Sequence, residues 1–240
     1  MKNGLTLSII TEAQSANYGE GFANISSLKQ ISRSSGDVYT YISRQALRYN
    51  MIEQLGWNNT PVEASGSGDK TVIQYQPDTS IADYPEIDLF GYMKTEKKLG
   101  AQTRSAVVRL SNAISLEPYN ADMDFLTNMG LAKRTNANNS IVQSEIHKSF
   151  YAYTVAIDLD RLGIDTNSDI HIPSAEKSKR ISQFLHSLEF LYRDIKGRRE
   201  NLSPLFAIGG LYERKCPFFE NRLKLNKLSL DINNIGPQTA

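Results

Sequence analysis

Phe150-Tyr151-Ala152-Tyr153-Thr154-Val155-Ala156-Ile157-Asp158-Leu159 is rich in aromatic and β-branched residues and reads as a strand. The next periodic segment reads as a helix. From Ser174 to Ile195, the residues Ile181, Phe184, Leu185, Leu188, Leu191, Tyr192 and Ile195 fall on one stripe, and Gly197 comes after them as a stop. Leu205 to Tyr212 reads as a last strand. Upstream, Ala106 to Leu116 reads as another strand, and Leu5, Leu7 and Ile9 alternate with Thr6 and Ser8 in a first strand, Leu5 to Thr11.

Between those two lies a helix in Tyr41-Ile42-Ser43-Arg44-Gln45-Ala46-Leu47-Arg48-Tyr49-Asn50-Met51-Ile52, with Ser43 as its N-cap and Gly56 as its stop. The order is strand, helix, strand, strand, helix, strand. That is the α+β, RRM-like (ferredoxin-like) pattern, in which two helices cover one face of an antiparallel sheet. Gln14 to Asp37 reads as a polar loop, and Asn58 to Pro85, with Gly66 to Gly68 as its tip, as an irregular insertion. Pro118 to Lys148 has little core character and reads as a protruding hairpin or loop.

Arg44 and Arg48 stand one turn apart at a helix start with no acid beside them. A helix N-terminus is already positive, so two more cations suit a docked anion. Ser43, Arg44, Gln45 and Arg48 therefore read as a phosphate-binding helix start; the alternative is that the arginines pair with carboxylates elsewhere in the fold. In Asp88-Leu89-Phe90-Gly91-Tyr92-Met93, Gly91 either lets another backbone come close, here RNA, or makes a turn. Tyr39, Tyr41 and Tyr92 have the chemistry to stack on bases.

The 240 residues suffice for one large domain. With 27 basic against 26 acidic residues, the net charge of +1 gives no global nucleic-acid signature, so a polyanion site must be local. Charge is indeed segregated: 21–50 and 94–109 are basic blocks, with acidic segments between and after them. Cys216 is the only cysteine, which excludes an intrachain disulfide and a thiolate metal cluster. No run approaches the ~20 apolar residues of a membrane span, and the expectation is a soluble, cytoplasmic protein that needs no cofactor and no membrane.

Catalytic signals are sparse. His147, His171 and His186 lie far apart and none has a partner at metal-ligand spacing; Asp122 and Asp124 lack the rest of a calcium loop, and no phosphate-binding loop is present. His147 beside Lys148 is the one candidate base for RNA cleavage.

Several segments together resemble one family. They are Thr11-Glu12-Ala13 with Asn17-Tyr18-Gly19, then Tyr39-Thr40-Tyr41-Ile42-Ser43-Arg44-Gln45-Ala46-Leu47-Arg48, Asp88-Leu89-Phe90-Gly91-Tyr92-Met93, and Phe150-Tyr151-Ala152-Tyr153 before Asp158-Leu159-Asp160. In this order they are similar to the CRISPR-associated DevR family, the guide-RNA-binding backbone ("Cas seven") subunit of type I-B Cascade. The likeness covers most of Leu5 to Arg214, and the tail after Cys216 carries little family character.

The resemblance implies a single RRM-like palm over 1–240, with a finger-like insertion at about 58–104 and a thumb-like insertion at about 118–148. It implies a non-catalytic subunit whose copies form a helical filament along CRISPR RNA, joined by other Cascade subunits. Together they present the guide to target DNA in antiviral defence. Sequence specificity then rests on base pairing, and the protein needs only shape and charge. RNA contacts fall on Asn17, Lys29, Arg33, Ser43, Arg44, Gln45, Arg48, Gly91, Met93, Lys133 and Arg134, with Met129 or Leu131 as the thumb wedge. Two rivals stand beside this reading: an endoribonuclease of the same superfamily that processes precursor RNA with His147 or a tyrosine, and a transcriptional regulator, for which no helix-turn-helix signal is found.

Overall fold

The longest pairing in the molecule joins β1 (Gly4–Ala13) to β6 (Ser149–Asp158), antiparallel from Gly4 opposite Asp158 to Ala13 opposite Ser149. The computed structural model describes residues 3–19, 21, 24–65, 71–96, 100–136 and 138–231. On the far side of β1 lies β7 (Phe206–Tyr212). The other edge of β6 is shared by two short strands, β4 (Val108–Leu110) and β5 (Ala113–Ser115). Beyond β5 come β3 (Val38–Ile42) and β2 (Gln30–Ser32), and every pairing in this seven-stranded sheet is antiparallel. The fold is mixed α/β, with strands in the majority.

Alternation decides which face is covered. Ile9 lies opposite Tyr153, and with Tyr151, Val155 and Ile157 it forms an apolar face. Two helices bury that face: α1 (Arg44–Leu55) through Leu47, Met51 and Ile52, and α4 (Ser174–Glu189) through Phe184 and Leu188. The opposite face is polar, with Ser8 Oγ 2.6 Å from Thr154 Oγ1. The chain after Tyr212 crosses it. Thr6 donates to the Cys216 carbonyl at 3.0 Å, and Lys215 Nζ pairs with Asp158 and, at 2.8 Å, with Asp160.

Three segments fold differently from the sequence expectation. The helix expected over Ser174 to Ile195 ends at Glu189, and Tyr192–Ile195 instead pairs with Arg198–Asn201 as a hairpin. Lys196 and Gly197 both take positive φ, 49° and 75°, as a two-residue hairpin turn requires. Gly197 is therefore a turn residue and not a helix stop. Leu191 stays in the main core either way, which is why the helical stripe of the sequence runs on through it.

Ala106 to Leu116 is broken at Ser111-Asn112 into β4 and β5. The loop expected from Gln14 to Asp37 contributes β2 and the short strand Ile25–Ser26. Within the expected finger region lie the hairpins Val62–Ser65 with Val72–Tyr75 and Tyr92–Glu96 with Gly100–Arg104, separated by α2 (Pro85–Phe90). The glycine-rich tip at 66–68 lies outside the described residues. Over 118–148 the chain forms a hairpin, Asp122–Thr127 with Ile141–Ile146, that carries α3 (Met129–Thr135) at its end. No helix among the described residues is long and apolar enough to cross a membrane.

Candidate nucleic-acid interface

At the start of α1 the structure holds the cap from inside. Ser43 accepts from the Ala46 N–H at 3.2 Å while its own hydroxyl donates to Asn17 Oδ1 at 2.6 Å, and Asn112 Oδ1 accepts from the Arg44 N–H at 2.9 Å. Those backbone donors are therefore already used. An anion arriving here finds the Arg44 and Ala46 N–H groups engaged and meets the exposed residues Arg44 and Gln45, which narrows the expected helix-start site. Asn17 and Ser43 position the helix; neither offers its side-chain oxygen to a ligand. Gly56 ends α1 in the left-handed conformation, φ 65°, as expected.

The Arg44 side chain is exposed, and among the described residues none forms a hydrogen bond or ion pair with its guanidinium. It opens onto a groove of about 1030 Å³ on the polar face of the sheet. Arg33, Tyr39, Arg109 and Asn112 line it on the sheet side, and Pro217, Phe219 and Lys224 on the side of the C-terminal segment. Arg33 lies over the Tyr39 ring at 4.4 Å, and Arg109 is exposed, with Nε donating only to the Ala106 carbonyl at 3.4 Å. Arg44 and Arg109 also line a second recess of about 420 Å³, with Gln45, Arg48, Phe90, Val108 and Leu110.

Arg48 is differently placed. Its Nη2 donates to Tyr75 Oη at 3.3 Å and lies 3.5 Å from Glu86 Oε1, and its guanidinium carbon sits 4.9 Å from the centre of the Phe90 ring. The Tyr75 hydroxyl itself donates to Glu86 at 2.8 Å, and burial first and the carboxylate second push its pKa up to about 12. The two arginines thus realise both readings of the sequence: the Arg44 guanidinium has no hydrogen-bond or ion-pair partner among the described residues, and Arg48, which lines the recess and not the groove, has found a carboxylate in Glu86.

The Asp88-to-Met93 motif is mostly internal. Asp88 is fully buried, with Oδ1 2.9 Å from Arg104 Nη2 and Oδ2 3.1 Å from Arg180 Nη1. Gly91 has φ 75°, and a Cβ there would stand 2.3 Å from the Arg104 carbonyl and 2.7 Å from the Ala106 nitrogen. The close backbone that Gly91 admits is therefore this chain's own and not RNA. Met93 is exposed on its hairpin, outside both cavities. Lys29 is half-buried, with its backbone tied to Asn17 and Tyr41, and it lines neither cavity.

Met129 and Leu131 stand exposed on α3 with Lys133 and Arg134, away from the groove and beside exposed Phe125 and Leu126 on the adjoining strand. His147 is buried: its Nδ1 lies 2.8 Å from Thr40 Oγ1, and its ring packs edge-on to Tyr119 and Tyr151. Burial lowers its pKa. Among the described residues no three His, Cys, Asp or Glu side chains gather as a metal site. Sequence reading missed Arg109, Asn112 and Lys224 as groove residues; Arg109 closes the second basic block, which is the one signal that pointed to it.

An antiparallel sheet backed by two helices, with a projecting hairpin, defines a mixed α/β fold, and chains of that overall fold occur in solved RNA-guided assemblies. A chain of a CRISPR RNA-guided surveillance complex, pre-nicking, superposes with a TM-score of 0.57 at 12% identity, over 85% of this chain and 77% of that one. A second, from a CRISPR RNA-guided surveillance complex, gives 0.51 at 16% identity over 83% and 66%. The chain belongs to the family of the CRISPR-associated negative auto-regulator DevR/Csa2, whose family model matches residues 5–224. A protein of Myxococcus xanthus (strain DK1622), described as CRISPR-associated protein Cas7/Cst2/DevR, is 31% identical over 171 residues, 64% of this chain. The match spans 56% of that relative's length.

Proposed function

We propose that this chain is a non-catalytic, cytoplasmic CRISPR RNA-binding backbone subunit of a Cascade interference complex, of type I-B. Its copies line up along the guide with other Cascade subunits and present it for pairing with target DNA in antiviral defence. The observation that carries the reading is the unpaired Arg44 guanidinium, at the mouth of a groove shared with Arg33 and Arg109. Arg33, Arg44 and Arg109, none of them in an ion pair among the described residues, share this groove with Glu220 on its C-terminal bank; three such cations suit successive phosphates of a single strand, and they ask nothing of the bases.

Family membership and the two solved neighbours support the same assignment. So does the topology: with β2 and β3 set aside and β4 and β5 counted as one interrupted strand, the remaining strands β1, β4/β5, β6 and β7 lie across the sheet in the order last, first, third, second, which suits an RRM-like palm. In this reading the hairpins within 58–104 form the finger, and the hairpin bearing α3 within 118–148 is the thumb, with Met129 or Leu131 as wedge and Lys133 and Arg134 as phosphate contacts. His147 has no open path to a substrate in this conformation, which weighs against its use as the base of a nuclease.

Filter binding of single-stranded repeat RNA across a salt series tests the proposal. Arg44→Gln and Arg109→Gln should each weaken binding and lower the salt slope by about 0.7 per lost phosphate contact. Unaltered affinity and slope in both variants would remove the groove from the RNA path.

A further inference from the structure

We infer that Arg48 is a stacking platform for one base of the bound strand and not a phosphate ligand, so that the recess beside it forms a one-nucleotide subsite. The inference rests on the RNA-binding reading above and adds a division of labour within it. Arg44 and Arg109 keep their charge for the polyanion. Arg48 instead faces Glu86, 3.5 Å away, and it is oriented by the Tyr75 hydroxyl at 3.3 Å.

What remains of Arg48 is a plane held in place. Phe90 lies beneath the guanidinium, Tyr75 and Glu86 hold one nitrogen, and just over a third of the side chain is still exposed where it lines the recess. Guanidinium planes fixed in this way stack on nucleobases, whose π-faces are all alike in this respect. The rest of the recess has the complementary chemistry: the half-buried Leu110 supplies apolar surface for a base edge, and the exposed Arg44 and Arg109 line it where the adjoining phosphates would lie. Its volume of about 420 Å³ falls in the range of small-ligand sites. A lysine at 48 would preserve the charge and the Glu86 pair, and it would lose only the plane.

That difference defines the experiment. Binding of an oligouridine and of a matched ribose-phosphate oligomer without bases is measured for the wild type, Arg48→Lys and Arg44→Gln, each checked for an unchanged melting temperature. Stacking predicts that Arg48→Lys binds oligouridine roughly tenfold more weakly at an unchanged salt slope, and that it matches the wild type on the abasic oligomer. Equal loss on both probes, or a reduced slope like that of Arg44→Gln, would make Arg48 a charge or framework residue and overturn the inference. As a second measure on the wild type alone, a strand carrying a fluorescent adenine analogue should be quenched on binding; emission equal in the free and bound states counts against stacking. If the wild type binds neither oligomer, it is the RNA reading itself that has failed.

Discussion

Arg104 Nη2 lies 2.9 Å from Asp88 Oδ1, and both side chains are out of solvent's reach. Arg180, from α4, takes the other carboxylate oxygen at 3.1 Å, and the Gly163 N–H donates to Oδ1 at 2.9 Å. One carboxylate therefore ties α2, the Gly100–Arg104 strand and α4 together. Removing the charge leaves the buried Arg104 without its carboxylate, while Arg180 keeps Glu176 at 3.0 Å, and breaking the buried pair costs far more than the intact pair contributes. Asp88→Asn should lower stability by about 3–5 kcal/mol. Urea denaturation would show this as an earlier midpoint, and a change under 1 kcal/mol would contradict the account.

The cap of α1 predicts a smaller effect confined to stability. Ser43→Ala removes the acceptor for the Ala46 N–H and should cost about 1 kcal/mol. Because Ser43 faces Asn17 and not the groove, the salt slope of RNA binding should stay at the wild-type value; a fall of about 0.7 would show that the hydroxyl meets a phosphate after all.

Two glycines with positive φ separate strain from crowding. At Gly56 a Cβ meets nothing within 4 Å, so Gly56→Ala should cost only the left-handed penalty of about 1–2 kcal/mol. At Gly91 the same atom collides with the backbone of Arg104 and Ala106, so Gly91→Ala should cost distinctly more. Melting temperatures of the two variants, measured side by side, give the order, and a reversed order would refute the packing seen at Gly91.

His147 sets a pH dependence. Its pKa is lowered in the fold, chiefly by burial, so the unfolded chain takes up the proton more readily. Its contribution to stability is complete above the ordinary value of about 6.5 and is lost as pH falls from there toward the folded pKa. His147→Gln, which cannot titrate, should flatten the decline in melting temperature as pH falls below about 6.5. A decline as steep as the wild type's would assign it to other groups.

The end of the long hairpin offers the converse case. Met129 and Leu131 are more than half exposed, so Met129→Ser with Leu131→Ser should change stability by no more than about 0.5 kcal/mol per site. If they wedge between nucleotides, the same pair should shorten the arrays of protein formed on long RNA, seen by electron microscopy; arrays of wild-type length would exclude the wedge.

The sheet was legible because its strands announce themselves by period, and Leu5 to Thr11 and Phe150 to Leu159 pair as their alternation requires. The cap at Ser43 and the stop at Gly56 were legible because local chemistry decides both. Beyond that, reading by spacing failed where tertiary partners decide. Nothing within Arg44 to Arg48 says that one guanidinium will meet Glu86, 38 positions later, while the other stays free. Nor does an apolar stripe reveal that it passes from helix into hairpin after Glu189, since Leu191 is buried in either form. Arg109 escaped notice because its neighbours across the groove, Arg33 and Arg44, are far off in the chain.

The chain after Tyr212, moored through Lys215 and the Cys216 carbonyl, gives the polar side of the sheet a second bank. A flat platform would accept a flexible polymer at any angle. A trough with two banks fixes an axis, and with it the direction in which a bound strand can lie.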